Sequence, residues 1–522
     1  MKLFTTCTLF VLSIATFSYS SVKAQSTWKH SFGGSDADVA NAVLQTSDGG
    51  YVFAGWTRSA DSEITTNHGN ADVWVVKTDM YGNVQWSKTY GGSGEEKAYD
   101  IALTADGGYI VAGYSYSGDG DITSGNHGYE DVLVVKLNAN GDMSWENTMG
   151  GSDNDMAYSI QQTGDGGYIV GGTTYSNNGD VSKNQGSSDM WLVKLDNKGK
   201  ISWEKTFGGT AADAAYAMRA TADGGYILAG ATKSLNGDVT GYHNSGFGSD
   251  YWVVKTDATG SLLWQKTLGG ALDEEAHTVW QSSDNSYVIA GYSYSTDGDV
   301  SGNHGLQDMW VVNLDEAGST VQWQKPLGGS QPELAYSLKQ NADGTYIVAG
   351  STQSNDGQVT AFHGGTDYWL SKLDITGNLI SEYAFGGAGD DIAHSVTQTM
   401  DGGFIIAGET NSTDGDINKN FGATDAFLIK ILPALAVQPL SSAENNIVVY
   451  PTITKKTLNI SLPAGYEHAD VKLVNMLGEQ INITQTQGLA RQLNINNAAA
   501  GMYLLQIVNA DKVNNFRIIY QP

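Results

Sequence analysis

Paired aspartates in glycine-rich loops are the residues of this sequence with the plainest chemical potential. Asp119/Asp121, Asp297/Asp299 and Asp414/Asp416 each read Asp-Gly-Asp, with single counterparts at Asp180 and Asp238. In Asp297–Gly305 the pair is followed by Asn-His-Gly, which gathers hard oxygen donors of the kind Ca²⁺ prefers. The spacing is not that of an EF-hand, and Asp with Gly is equally the vocabulary of tight turns. Calcium is the one cofactor these residues suggest, with the six aspartates as its ligands.

Two further carboxylate series recur once per repeat. Asp38, Glu96, Asp155, Asp213, Glu274, Glu333 and Asp391 each follow a Gly-Gly pair by four residues, where they could ring the mouth of a central channel. Asp72, Asp131, Asp189, Asp250, Asp308, Asp367 and Asp425 each precede an apolar strand pattern. A carboxylate entering a strand can accept loop N–H groups. Sevenfold recurrence suits upkeep of a fold, because a catalytic site needs one acid and one base. Lysines such as Lys77 and Lys136 are candidates to balance these charges. His68, His127, His243, His304 and His363 lie in the same loops, but zinc needs several such ligands converging. Tyr116, Tyr175 and Tyr294 lie near these loops and could stack on sugars. No Gly-x-Ser-x-Gly, His-Glu-x-x-His or phosphate-binding glycine loop occurs. No catalytic residue is assigned, although carboxylates are numerous enough to supply a glycosidase pair.

The elements that must position these groups come from a repeat. Gly-Gly recurs at Gly33, Gly91, Gly150, Gly208, Gly269, Gly328 and Gly386, 58 to 61 residues apart. A period held so closely means one supersecondary unit used seven times. Within Asp165–Gly209 and its neighbours, alternation and turn residues predict four strands: a (Ala157–Gln162), b (Tyr168–Thr173), c (Met190–Leu195) and d (Ile201–Phe207). Four short antiparallel strands at even spacing predict an all-β fold, a seven-bladed β-propeller. The repeat opens on an orphan strand d, Trp28–Phe32, and stops after strand c, Ala426–Ile431, so the orphan is expected to complete the last blade and avoid an open edge. The long acidic loops then share one face, where function is expected. A glycine four places after the strand-b aromatic, from Gly55 to Gly408, predicts close backbone approach. Trp occupies the strand-d position in six units, with Ser381 in the seventh. The segments Asp196…Gly199…Trp203 and Asp257…Gly260…Trp264 resemble the tryptophan-docking motif of quinoprotein-type propellers. That resemblance implies blade docking; the vicinal cysteine pair of some quinoprotein dehydrogenases is absent, and nothing in the sequence argues for a quinone cofactor.

The ends of the chain give an address. Lys2, the apolar Leu9–Phe17 and Val22-Lys23-Ala24 read as a signal peptide over residues 1–24. Cys7 is the single cysteine, so residues 25–431, the propeller, have no disulfide framework. The net charge of −28 disfavours nucleic acid as a partner. Residues 432–446 read as a linker and 447–522 as a small β domain. Val449-Tyr450-Pro451, Leu458-Asn459-Ile460, Val471–Gly478, Gly501-Met502-Tyr503 and Phe516–Tyr520 resemble the C-terminal sorting domain of the type IX secretion system of Bacteroidetes. Thr452-Ile453 stands where that family has Asn-Pro. The resemblance implies export across the outer membrane, the secretion machinery and its sortase as partners, and a released or surface-attached product. The expected function is non-enzymatic binding of a glycan or protein. A polysaccharide hydrolase or lyase, and a structural cation-binding surface protein, are the alternatives.

Overall fold

Strands b and c of each repeat are continuous apolar runs, such as Tyr168–Thr174 and Asp189–Leu195, and both are buried along their whole length. Such runs belong in the middle of a sheet that is covered on both sides. In the computed structural model, which describes residues 26–432 apart from 244–247 and, with short gaps, residues 448–520, they sit there. The first compact unit, Ser26–Pro433, contains seven four-stranded antiparallel sheets, and no helix occurs among the described residues. Six sheets run a-b-c-d in chain order. In the seventh, Asp391–Gln398, Phe404–Thr410 and Asp425–Ile431 are joined by the first strand, Ser26–Phe32. Its register places Trp28 opposite Lys430 and Phe32 opposite Ala426.

Strand a carries the same irregularity in every sheet. Its pairing with strand b skips one residue, for example Tyr158 between Ala157 and Ser159, which is a β-bulge. The strand-b glycine faces that bulge. A Cβ on Gly172 would overlap the Met156 carbonyl, and the same holds at Gly55, Gly113, Gly230, Gly291, Gly350 and Gly408. The close approach expected from sequence is therefore present in all seven sheets. Successive sheets are stitched by side chains at the ends of their a strands: Gln162 Oε1 accepts the Ala105 N–H at 2.7 Å, and Gln281, Gln340 and Gln398 accept equivalent N–H groups. The same bond joins last to first, with Gln45 accepting from Met400 at 2.7 Å.

Strand-d tryptophans dock one sheet on the next. Trp203 lies against the turn glycine Gly260 and the edge region of Tyr226, ring centroids 6.0 Å apart, and the other five repeat this pairing. Ser381 stands where the adjoining sheet has no covalent c–d turn, because its strand d comes from the chain's first strand. An indole at 381 would meet the strand-b ring of Phe404 but no c–d turn glycine among the described residues.

The second unit contains a four-stranded and a five-stranded sheet between Val448 and Tyr520. Val449, Leu458, Ile460, Leu473, Leu493, Leu505 and Ile518 form its core. Arg491 is buried there, and its guanidinium donates to the Ala469 and Gly488 carbonyls. The expected signal peptide, nearly all of the linker and the Met476–Gly478 turn lie outside the described residues.

Candidate functional site

The bulge determines where the strand-a side chains go. An extra residue in one strand turns its side chain out of the regular alternation. The bulged residues Tyr99, Tyr158, Tyr216, His277, Tyr336 and His394 thereby line a cavity of about 570 Å³, with Asn41 at the seventh place. All seven a strands contribute to its wall. The six rings follow one another with centroids 5.0 to 5.5 Å apart, and His277 stacks on Tyr336 at 16°. Glu275 and Glu409 stand behind the two histidines, each 3.6 Å from an imidazole Nε2. The His277 Nδ1 is buried without a hydrogen-bond partner among the described residues.

Below this belt the sevenfold pattern breaks. The residue after the bulge is Ala, Ser or Thr except at Asp100; two places further on, Arg219 and Lys339 replace Leu44, Ala102, Gln161, Trp280 and Thr397. Asp100 does what Ser159, Ser337 and Ser395 do: it accepts the N–H of the neighbouring strand, here Ile160 at 2.9 Å, and also that of Ile101. What it adds is charge. Arg219 and Lys339 both lie over the Trp280 ring, 5.2 and 5.0 Å from its centroid, in a cation–π arrangement. Neither makes a hydrogen bond or ion pair among the described residues. Enclosure by protein pushes the Lys339 ammonium down to about 7, with Arg219 adding repulsion and Asp100 opposing it. Enclosure likewise lowers Arg219 and raises Asp100, each shift opposed by the other's charge.

The loop carboxylates have different work. Asp119 Oδ1 accepts the Ser93 N–H at 2.7 Å, Asp297 the Ala271 N–H at 2.9 Å and Asp414 the Ala388 N–H at 2.8 Å. Asp121, Asp299 and Asp416 accept the Gly91, Gly269 and Gly386 N–H groups at 3.3 to 3.4 Å. The Asp-Gly-Asp loops thus tie down the Gly-Gly loops, and each pair sits in its own sheet. No group of three or more His, Cys, Asp or Glu side chains converges as for a metal among the described residues.

The two carboxylate series are the first residues of strands a and c, not residues before them, and both are fully buried. Asp155 and Asp189 flank Thr174 in one row across the sheet. Each first-series carboxylate accepts a Gly-Gly loop N–H, as Glu96 does from Gly92 at 2.8 Å. Asp72 Oδ1 and Glu96 Oε2 lie 2.6 and 2.7 Å from where a Cβ on Gly91 would stand. In all seven sheets the second-series Oδ1 lacks a hydrogen-bond partner among the described residues. Burial, with like charges nearby, raises Asp189 and Asp425 to about 7 and Asp367 to about 6. The loop histidines each pair with their own second-series aspartate, as His68 Nδ1 with Asp72 at 2.6 Å, and so do not converge. The lysines do not balance these carboxylates. Lys77 binds Asp48 at 2.9 Å in the a–b turn, and Lys136, Lys194, Lys255, Lys372 and Lys430 bind equivalent turn aspartates.

Sequence reasoning on the long loops passed over the cavity. Its signal was available: Asp100, Arg219 and Lys339 break an otherwise small or uncharged position in the strand-a repeat.

Residues 448–521 match the model of the secretion system C-terminal sorting domain. The chain is 23% identical over 364 residues to the regulatory protein FlaEY of Caulobacter vibrioides, covering 63% of this chain and 38% of that protein. Among solved structures, Sqt1 from Chaetomium thermophilum is similar over 78% of this chain and 99% of that one, at 11% identity and a TM-score of 0.40. A puromycin hydrolase variant complexed with PGG is similar over 86% of this chain and 58% of that one, at 11% identity and a TM-score of 0.43. The sorting domain marks the chain for type IX export, to the cell surface or the medium.

Proposed function

We propose that residues 26–432 are a closed seven-bladed β-propeller that, once exported, serves as a non-enzymatic binding module with its ligand in the strand-a cavity. The observation that carries this reading is the belt of six rings presented into one cavity by the same bulge in successive sheets. Pockets of this volume suit small ligands or one to three sugar rings, and aromatic faces receive the apolar faces of sugars. Closure is supported by the pairing of Ser26–Phe32 with Asp425–Ile431 and by the Gln45–Met400 bond, which repeats the link between consecutive sheets. Asp100 is the one carboxylate among the lining residues, whereas glycoside hydrolysis ordinarily uses two. In this reading the type IX sortase releases or attaches the protein through its C-terminal domain.

The test is a glycan array probed with the full exported chain and with Tyr158→Ala. Binding that the substitution abolishes supports the reading. Binding to no glycan removes the glycan form of it, and cleavage of the bound glycan removes the non-enzymatic form.

A further inference from the structure

Two cations facing one cavity in a chain of net charge −28 need a reason. Arg219 and Lys339 come from the fourth and sixth repeats, and the strand between them supplies Trp280, the ring on which both rest. Their N–H donors point to no hydrogen-bond acceptor or ion-pair partner among the described residues. Both side chains are half-buried in the cavity wall, and leaving partly desolvated cations unpaired carries a cost. An occupant that accepts from both offsets that cost.

Resting on the binding reading above, we propose that the cavity takes a sugar ring bearing a carboxylate, as in a uronic acid. The carboxylate sits between Arg219 and Lys339, and the ring lies on the tyrosine–histidine belt. The Arg219 guanidinium offers the planar fork that matches a carboxylate's two oxygens, while Lys339 adds a point charge. Asp100 sets the ligand's charge. With it ionised the trio carries one net positive charge, which a monoanion neutralises; a phosphate dianion would place surplus negative charge beside Asp100. Asp100 stays in place because the Ile101 and Ile160 N–H groups hold its oxygens. The belt supplies polar edges for ring hydroxyls through its tyrosine hydroxyls.

Calorimetry with the full chain distinguishes this inference from the reading beneath it. The probes are a galactose trisaccharide in which one residue is galacturonate, its neutral counterpart trigalactose, and galactose 6-phosphate, at pH 6. The acidic trisaccharide is expected to bind about 10- to 100-fold more tightly than the neutral one. Arg219→Met and Lys339→Met should each erase that preference, with Lys339→Arg restoring it and an unchanged thermal midpoint showing that the fold persists. Equal affinity for both trisaccharides overturns the carboxylate assignment and leaves the binding reading standing. Tighter binding of the phosphate sugar also overturns it. Failure of all three sugars overturns the carboxylate assignment, and the glycan form of the binding reading falls with it only if the array is also empty.

Discussion

Gly172 lies directly beneath the carbonyl of Met156, so close that a Cβ would overlap the oxygen. That approach is what allows strand a to bulge at Tyr158, and the bulge delivers the Tyr158 ring into the cavity. One missing methyl group in strand b is thus linked to an aromatic wall across the sheet. Gly172→Ala is expected to lower stability by about 2 to 4 kcal/mol, since backbone must move to make room. Chemical denaturation measures it, and a loss under about 0.5 kcal/mol, the ordinary scatter of harmless surface changes, would show that the bulge does not need the glycine.

Trp203 and Ser381 occupy equivalent strand-d positions with opposite expectations. Trp203→Ala removes an indole seated on Gly260 and Tyr226 and should cost about 3 kcal/mol. Ser381→Trp should gain nothing, because its neighbour has no covalent turn to receive the ring. A clear rise in thermal midpoint for Ser381→Trp would contradict the docking explanation.

The buried carboxylates predict a dependence of stability on pH. Burial raises Asp189 and Asp425 to about 7 and Asp367 to about 6, so the folded chain holds protons that the unfolded chain releases. Their contribution is complete below the ordinary carboxylate range and is lost as pH rises through 6 to 7. The turn aspartates act oppositely. Hydrogen bonds from Lys136 and Thr163, respectively, hold Asp106 and Asp165 down to about 2, so their contribution is present above the ordinary range and is lost as pH falls towards 2. The thermal midpoint should therefore peak between about pH 4 and 6. Asp189→Asn should flatten the alkaline side, and an unaltered slope there would refute the assignment.

Removal of residues 448–522 should leave the remaining chain behind the outer membrane, because the matched sorting domain lies there. Cell fractionation reads this directly. Normal surface or medium levels of the truncated chain would contradict it.

The all-β repeat was legible because Gly-Gly pairs and strand-d tryptophans keep a fixed period, and the strand-b glycines announced a close approach that every sheet contains. The cavity was not legible by the same route. Alternation assigns strand residues to two faces, and a bulge shifts that assignment at the place where Tyr99, Tyr158 and Tyr216 point inward. Clustered aspartates drew attention to the loops, yet Asp119, Asp297 and Asp414 spend their oxygens on backbone N–H groups. Asp100, Arg219 and Lys339 differ from their counterparts, and it is the departures from the repeat that carry charge into the cavity.

Ser26–Phe32 pairs with Asp425–Ile431, so six sheets can assemble from neighbouring stretches of chain while the seventh waits for the two far ends to meet. That last pairing closes the longest stretch of chain among the described strand pairs, so it carries the largest loop-closure entropy of them and is expected to form last. A chain folding from its N-terminus would keep its first strand unpaired until the last repeat had formed. The first strand then acts as a clasp, and a pull on it would unfasten the seventh sheet before any other.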